Sequence, residues 1–92
     1  MEQHVAGVKK DKKVFLYALS TCMWCKKTKK LLDDNGVEYS FVWVDQLEGD
    51  ERDRALGEIE KYNPAVSFPT MLIDGNCIVG FDEKKIKEAL TL

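Results

Sequence analysis

Two cysteines separated by two residues, Cys22 and Cys25, are the feature of the sequence best suited to chemistry. They follow Ser20 and Thr21, which are good N-cap residues and favour a helix that begins at about residue 22. Backbone N–H groups at the start of a helix lack partners and carry partial positive charge, which stabilises a thiolate. Cysteines in such positions have pKa values of roughly 3.5–7.5 instead of about 8.5. We therefore predict that Cys22 is an exposed nucleophile, and that Cys25 lies deeper, about one helical turn away.

Thiol–disulfide exchange is the reaction that two unequal thiols at this spacing can perform. The thiolate of Cys22 would attack a disulfide and form a mixed disulfide, and Cys25 would then attack the sulfur of Cys22 and release the reduced substrate. The protein would be left with a Cys22–Cys25 disulfide that an external reductant must reopen. The spacing thus predicts a dithiol electron carrier with no bound cofactor.

A metal or iron–sulfur site is the alternative use of the same two thiols. Zinc usually takes four nitrogen or sulfur ligands, and beyond the pair the chain offers only Cys77 and the single histidine, His4. A CxxC motif between a strand and a helix favours redox chemistry over metal binding, while a cluster that bridges two chains stays open. We expect Cys77 to be a small buried apolar residue in an edge hairpin, with a regulatory thiol as the alternative.

The elements that must position the dithiol are indicated by the hydrophobic pattern. Residues 14–19 are apolar on both faces, as in a strand inside a sheet that is covered on two sides. Asp74-Gly75 is a strong hairpin signal, and Asp82 can cap a last helix. Strands are predicted at residues 14–19, 38–44, 71–73 and 77–79, and helices at residues 22–34, 51–62 and 83–90. The order β-α-β-α-β-β-α predicts an α/β fold with a four-stranded mixed sheet and three helices on both of its faces.

The bond between Phe68 and Pro69 precedes the third predicted strand. Bonds before proline are the ones that can be cis. A cis bond here would turn the backbone of Phe68 outward beside the cysteines, where its N–H and C=O could pair with a substrate chain in β fashion. An ordinary trans turn is the alternative interpretation, and trans is the commoner state of such bonds.

Three segments, residues 16–25, 68–70 and 79–82, together resemble a glutaredoxin-like member of the thioredoxin superfamily. The resemblance covers a domain at residues 13–92, which a polar N-terminal arm at residues 1–12 precedes. Members of this family are small cytosolic carriers of thiol–disulfide exchange. The resemblance implies a thioredoxin/glutaredoxin fold in which Cys22 is the nucleophile, Cys25 resolves the mixed disulfide and Pro69 is cis.

The resemblance also implies where a substrate binds. The glutathione groove of the family would map onto Cys22, Phe68, Pro69 and Asp82. Trp24 has little core to join between two exposed cysteines, so we expect it to contact a partner. The predicted substrate-binding residues are Trp24, Phe68, Pro69, Thr70, Gly80, Phe81 and Asp82. For the ring of Phe81, lining the groove and packing under the last helix are equally open.

The source of electrons is indicated by departures from the family pattern. Glutathione-dependent members commonly have Pro-Tyr where residues 23–24 are Met-Trp, a lysine where Leu19 stands, and Gly-Gly where residues 79–80 are Val-Gly. Met23 and Gly80-Phe81 are closer to the glutaredoxin-like hydrogen donors of ribonucleotide reductase. The resemblance therefore implies that a thioredoxin-reductase-type flavoprotein supplies reducing equivalents, with glutathione as the alternative.

Length and composition are those of one small domain. The chain has 92 residues, of which 45% are hydrophobic and 33% charged, enough for one modest core. No apolar run approaches the ~20 residues that a membrane-spanning helix needs. The first ten residues lack the apolar stretch of a signal peptide. We therefore expect a cytoplasmic protein with no membrane partner.

Charge is distributed unevenly along the chain. The net charge of −2 gives no reason to expect nucleic-acid binding. Residues 1–30 carry eight lysines against two acids, whereas residues 33–60 carry ten acids against two arginines. The basic end could attract an acidic protein, although lysines at this spacing more often form a helix face that is simply exposed to solvent. We expect a monomer whose partners are a disulfide-containing protein and a reductase, and an N-terminal arm that is mobile or loosely docked.

Overall fold

The computed structural model of the chain describes residues 2–92. Its strands are β1 (Gln3–Val5), β2 (Val14–Ala18), β3 (Tyr39–Trp43), β4 (Thr70–Ile73) and β5 (Asn76–Val79). Its helices are α1 (Met23–Asp34), α2 (Gly49–Tyr62) and α3 (Glu83–Leu90), with a short 3₁₀ helix at Val44–Gln46. Within residues 2–92, no helix is both long enough and apolar enough to cross a lipid bilayer.

The strands form one mixed sheet with β2 at its centre. The strand order is β1-β3-β2-β4-β5; β2 and β3 are parallel and the other neighbouring pairs are antiparallel. A parallel pair needs a crossover, and α1 supplies it between β2 and β3. The carboxyl ends of β2 and β3 therefore meet at one edge of the sheet, which is the edge where the CxxC motif begins.

The core lies in two layers, one on each face of the sheet. Alternation along β3 sends Tyr39 and Phe41 to one face and Val42 to the other. The first layer packs α1 and α3 through Leu32 and Ile86, and the second packs α2 through Ile59. The predicted α/β fold with three helices on both faces of a mixed sheet is confirmed.

The sheet has five strands where four were predicted, because the N-terminal arm supplies one. Strand β1 pairs antiparallel with β3, with His4 opposite Ser40. Further along, the N–H of Lys9 donates to the carbonyl of Gly36 at 2.9 Å, and the N–H of Glu38 donates to the carbonyl of Lys9 at 2.9 Å. The expectation of a mobile or loosely docked arm is wrong for residues 3–5, which form a strand of the sheet, and for Lys9, which forms an isolated parallel bridge with Val37.

Candidate active site

Cys22 occupies the N-cap of α1. Its backbone is extended (φ −90°, ψ 120°), and the helix proper begins one residue later, at Met23, instead of at the cysteine itself. The N–H of Cys25 donates to the Sγ atom of Cys22 at 3.3 Å. Cys22 is half-buried, and its sulfur takes the place of a capping oxygen at a helix N-terminus, which stabilises negative charge placed there.

Cys25 lies beneath it with no exposed surface. Its Sγ atom accepts a hydrogen bond from the N–H of Leu19 at 3.4 Å. Burial, together with a hydrogen bond to Cys22, raises the pKa of the Cys25 thiol to about 12, although the bond from Leu19 acts in the opposite direction. Both cysteines are free thiols, so the structure shows the reduced dithiol. The pair therefore consists of a partly exposed cysteine and a buried thiol that holds its proton.

Asp45, which was not among the predicted site residues, fixes the loop that carries Cys22. The carboxylate of Asp45 accepts one hydrogen bond from the N–H of Ser20 at 2.8 Å and another from the Ser20 hydroxyl. These bonds lower the pKa of Asp45. The parallel register pairs Ala18 with Trp43, so two residues further Ser20 and Asp45 meet. A signal existed in the sequence, namely an acid directly after the second strand.

Trp24 and Phe81 make an aromatic pair beside the dithiol. The two rings stack with their centroids 5.8 Å apart. Trp24 is nevertheless 52% exposed, and Met23 is 67% exposed. The Nζ atom of Lys27 lies 4.7 Å from the centroid of the Trp24 ring. Phe81 also packs against the core layer that contains Cys25 and the α3 residue Ile86, in agreement with the packing alternative, and its lining of a substrate groove stays a prediction.

The Phe68–Pro69 peptide bond is cis, as the resemblance implied. Phe68 is half-buried and contacts both core layers, and Pro69 is buried. The carbonyl of Pro69 accepts from the N–H of Gly80 at 2.8 Å, which ties this segment to the end of β5. Thr70 differs from the prediction of a substrate contact. Its side chain is fully buried, because its hydroxyl donates to the carbonyl of Ser67 at 2.7 Å.

Gly80 and Asp82 shape the turn from β5 into α3. Gly80 has φ +78°, a left-handed conformation that a side chain would disfavour. Asp82 is the N-cap of α3, and its carboxylate accepts from the N–H of Lys85 at 3.1 Å. The predicted cap is confirmed. Because the intervening residue is Phe81, the turn places the start of α3 beside Trp24.

Cys77 lies on β5, opposite Leu72, and takes no part in this arrangement. It is half-buried instead of fully buried, because β5 forms an edge of the sheet. Burial raises the pKa of its thiol. Within the part of the chain that the structure describes, no three His, Cys, Asp or Glu side chains are grouped as a metal ion would require.

The fold and the dithiol together define a thiol–disulfide oxidoreductase of the thioredoxin superfamily. The sequence model of the Glutaredoxin family matches residues 14–78, so the chain belongs to the glutaredoxin family. Among curated proteins, it is 34% identical over 76 residues to an uncharacterised glutaredoxin-like 8.6 kDa protein from the rubredoxin operon of Clostridium pasteurianum. That match covers 82% of this chain and 93% of the relative.

Two solved structures from Methanosarcina are similar to the whole fold. The glutaredoxin of Methanosarcina mazei Go1 shares 53% identity with a TM-score of 0.89, covering 99% of this chain and 88% of that one. The methanoredoxin of Methanosarcina acetivorans shares 49% identity with a TM-score of 0.89, covering 94% of this chain and 90% of that one.

Proposed function

We propose that the chain reduces protein disulfides, with Cys22 as the nucleophile and Cys25 as the resolving thiol. The observation that carries this assignment is the inequality of the two sulfurs. Cys22 is partly exposed and its sulfur accepts an N–H at a helix start, whereas Cys25 is fully buried and its pKa is raised to about 12. A substrate disulfide can therefore reach Cys22 and not Cys25.

The exchange balances without a bound cofactor, because the two sulfurs carry the electrons. In the first step, the Cys22 thiolate attacks one sulfur of the substrate disulfide; an S–S bond to Cys22 forms, and the other substrate sulfur leaves as a thiolate that takes up a proton. In the second step, Cys25 loses its proton and attacks the sulfur of Cys22. The mixed disulfide breaks, and the second substrate sulfur leaves as a thiol. Two electrons have moved from the dithiol to the substrate.

Reduction of insulin by dithiothreitol tests these roles. The Cys22→Ser variant should fall to the uncatalysed rate, and the Cys25→Ser variant should accumulate mixed disulfides with substrate, visible as an added mass in non-reducing electrophoresis and mass spectrometry. The Cys77→Ser variant is the matched control and should retain the wild-type rate. Full activity in the Cys22→Ser variant would exclude the mechanism.

We propose that a thioredoxin-reductase-type flavoprotein reopens the Cys22–Cys25 disulfide, with glutathione as the second candidate. The support is the environment of the motif. Met23 and Trp24 fill the positions between the cysteines, and the broad Trp24 ring stacks on Phe81 next to the sulfur. Such an apolar, exposed surface suits a protein docking face better than a groove for a small polar tripeptide.

The electron source is tested by following NADPH consumption with insulin as the final acceptor. One reaction contains thioredoxin reductase, and the other contains glutathione with glutathione reductase. We expect the flavoprotein to reduce the oxidised protein at least as fast as glutathione does. A strong preference for glutathione would contradict this proposal and leave the roles of Cys22 and Cys25 untouched.

We further propose that the protein acts as a monomer in the cytoplasm. The support for the cytoplasm is chemical, because a dithiol reductant works only while its cysteines are kept reduced, and cytosolic thiol systems keep them so. Sedimentation of the reduced and oxidised protein tests the first point, and fractionation of the producing cells tests the second. A stable dimer or an exported protein would refute the corresponding part.

A further inference from the structure

Lysines along α1 and α3 differ in whether they form ion pairs, and over residues 2–92 the unpaired ones are those at the start of each helix. Further along α1, Lys29 and Lys30 pair with acids one turn ahead, at 3.0 and 2.7 Å. Further along α3, Lys87 pairs with Glu83 at 2.8 Å. Among the described residues, Lys26 and Lys27 in the first turns of α1 have no carboxylate partner. Two positive charges are thus left uncompensated within five residues of Cys22.

The start of α3 repeats this pattern. Lys84 and Lys85 are exposed, and neither side chain has an ion-pair partner within residues 2–92. Their helix begins directly after Phe81, whose ring stacks on Trp24. The two acids that directly precede them are engaged elsewhere, since Asp82 caps α3 and Glu83 pairs with Lys87. On the other side of the dithiol, the carboxylate of Asp45 is held by Ser20.

An exposed apolar surface lies among these charges. Met23 and Trp24 are both more than half exposed. The Lys27 ammonium lies over the Trp24 ring, so a positive charge and an exposed aromatic ring are next to each other on this surface. We call the surface made by Met23, Trp24, Phe81, Lys26 and Lys27 the docking patch.

We propose that the docking patch binds protein substrates whose reducible disulfide lies beside an acidic segment. The inference rests on the proposed function, because it concerns the substrate class of the same dithiol. Carboxylates of the substrate pair with Lys26 and Lys27, and an adjacent apolar side chain covers Trp24 and Met23. Positive charge around a reactive sulfur also raises the rate of encounter with an acidic partner, and added salt screens that effect.

Disulfide-linked peptides of one sequence, flanked by three Asp, three Ser or three Lys residues, provide the test. Their reduction by the pre-reduced protein is followed in stopped flow at low and high ionic strength. We expect the Asp peptide to react roughly 10–100-fold faster than the Lys peptide at low salt, with a smaller ratio at high salt. The neutral hydroxyethyl disulfide measures the intrinsic reactivity of Cys22.

The double variant Lys26→Glu and Lys27→Glu should abolish or invert the Asp-to-Lys ratio. The ratio is the readout, because any change in the reactivity of Cys22 affects all peptides equally. The Lys10→Glu variant, on the N-terminal arm, is the matched control and should keep the wild-type ratio. Circular dichroism confirms that each variant is folded.

Equal rates for the three peptides, or a ratio that survives the double variant, would overturn the docking proposal. Neither result touches the roles of the two cysteines, which Cys22→Ser tests separately on hydroxyethyl disulfide. Glutathione disulfide is included as an acidic substrate that is not a protein. If charge reversal slows it as much as it slows the Asp peptide, the patch recognises the small molecule and the proposal for protein segments is wrong.

Discussion

At the scale of single residues, the two active-site cysteines differ in exposure to solvent because they are one helical turn apart. Cys22 stands before the first helical residue and keeps access to solvent, whereas Cys25 points into the core layer that also holds Leu16 and Leu32. Burial then keeps the proton on Cys25. The same backbone therefore makes one sulfur a nucleophile for outside disulfides and reserves the other for the internal step.

The raised pKa of Cys25 predicts the pH dependence of the resolving step. Burial, the largest cause of this raised pKa, persists when Cys22 is in the mixed disulfide, so the thiolate fraction of Cys25 rises with pH throughout the range from 6 to 9. The rate at which the mixed disulfide resolves should therefore rise by about tenfold per pH unit without levelling off. Single-turnover release of a fluorescent thiol from the Cys22 mixed disulfide measures this rate. A plateau below pH 9 would contradict the assignment.

At the scale of elements, the active-site loop depends on a contact between two strand ends. Strands β2 and β3 run parallel, and the loops that follow them are joined by the bonds from Ser20 to Asp45. The bonds hold the two residues that precede Cys22, so the loop between β2 and α1 is fixed by β3. Asp45 is a positioning residue in this account, since its carboxylate acts on Cys22 through Ser20.

Replacement of this carboxylate should loosen the loop. We expect Asp45→Ala to lower the rate on hydroxyethyl disulfide several-fold, because Cys22 is then held less firmly at the N-cap. Asp45→Asn should restore much of the rate, since an amide oxygen can still accept from the N–H of Ser20. The exposed Asp53→Ala on α2 serves as the control. Wild-type kinetics in Asp45→Ala would show that the loop does not need the contact.

The lowered pKa of Asp45 also predicts how the stability that its carboxylate contributes depends on pH. A carboxylate whose pKa is lowered by folding stabilises the native state at pH values above its ordinary pKa of 3.8. That stabilisation is lost as the pH falls through the pKa of the folded protein. The difference in stability between wild type and Asp45→Ala should thus shrink on acidification below about pH 4. Urea unfolding of both proteins at several pH values measures this difference in stability.

At the scale of the whole molecule, the N-terminal arm completes the sheet on the side away from β5. At Gly7 the arm packs directly against the backbone of residues 36–38. A Cβ atom at this position would lie 2.5 Å from the carbonyl oxygen of Gly36. The N–H of Gly7 also donates to the carboxylate of Glu38 at 3.3 Å. The arm covers the edge of β3, and an uncovered edge strand can pair with other chains.

Gly7→Ala should therefore detach the arm. We expect a loss of stability of about 1–3 kcal/mol, typical of overpacking, and faster hydrogen exchange at the amides of Lys9 and Glu38. Gly57→Ala is the matched control, because nothing lies within 4 Å of a Cβ atom there. In the middle of α2 it should stabilise the protein by about 0.4–1 kcal/mol. Unchanged protection of Lys9 in Gly7→Ala would show that the arm tolerates the side chain.

Local signals in the sequence anticipated much of the site. Ser20 and Thr21 indicated a helix start near the CxxC motif, although Cys22, and neither of them, is the N-cap. Asp82 indicated the cap of α3, whose bounds match the prediction. These features depend on hydrogen bonds between residues at most four apart. The arm was misjudged because residues 3–5 have no strand pattern of their own, and their pairing depends on an available edge of β3.

The sequence by itself determined that one cysteine lies at the start of a helix and that the other follows about a turn later, because main-chain geometry over four residues is enough to place both. Only the tertiary structure decided what surrounds them: Asp45 beneath the loop, Phe81 against Trp24, and the arm on β3. Each of these contacts joins residues that are more than twenty positions apart. Such pairs meet only once the sheet is assembled, so no local pattern records them.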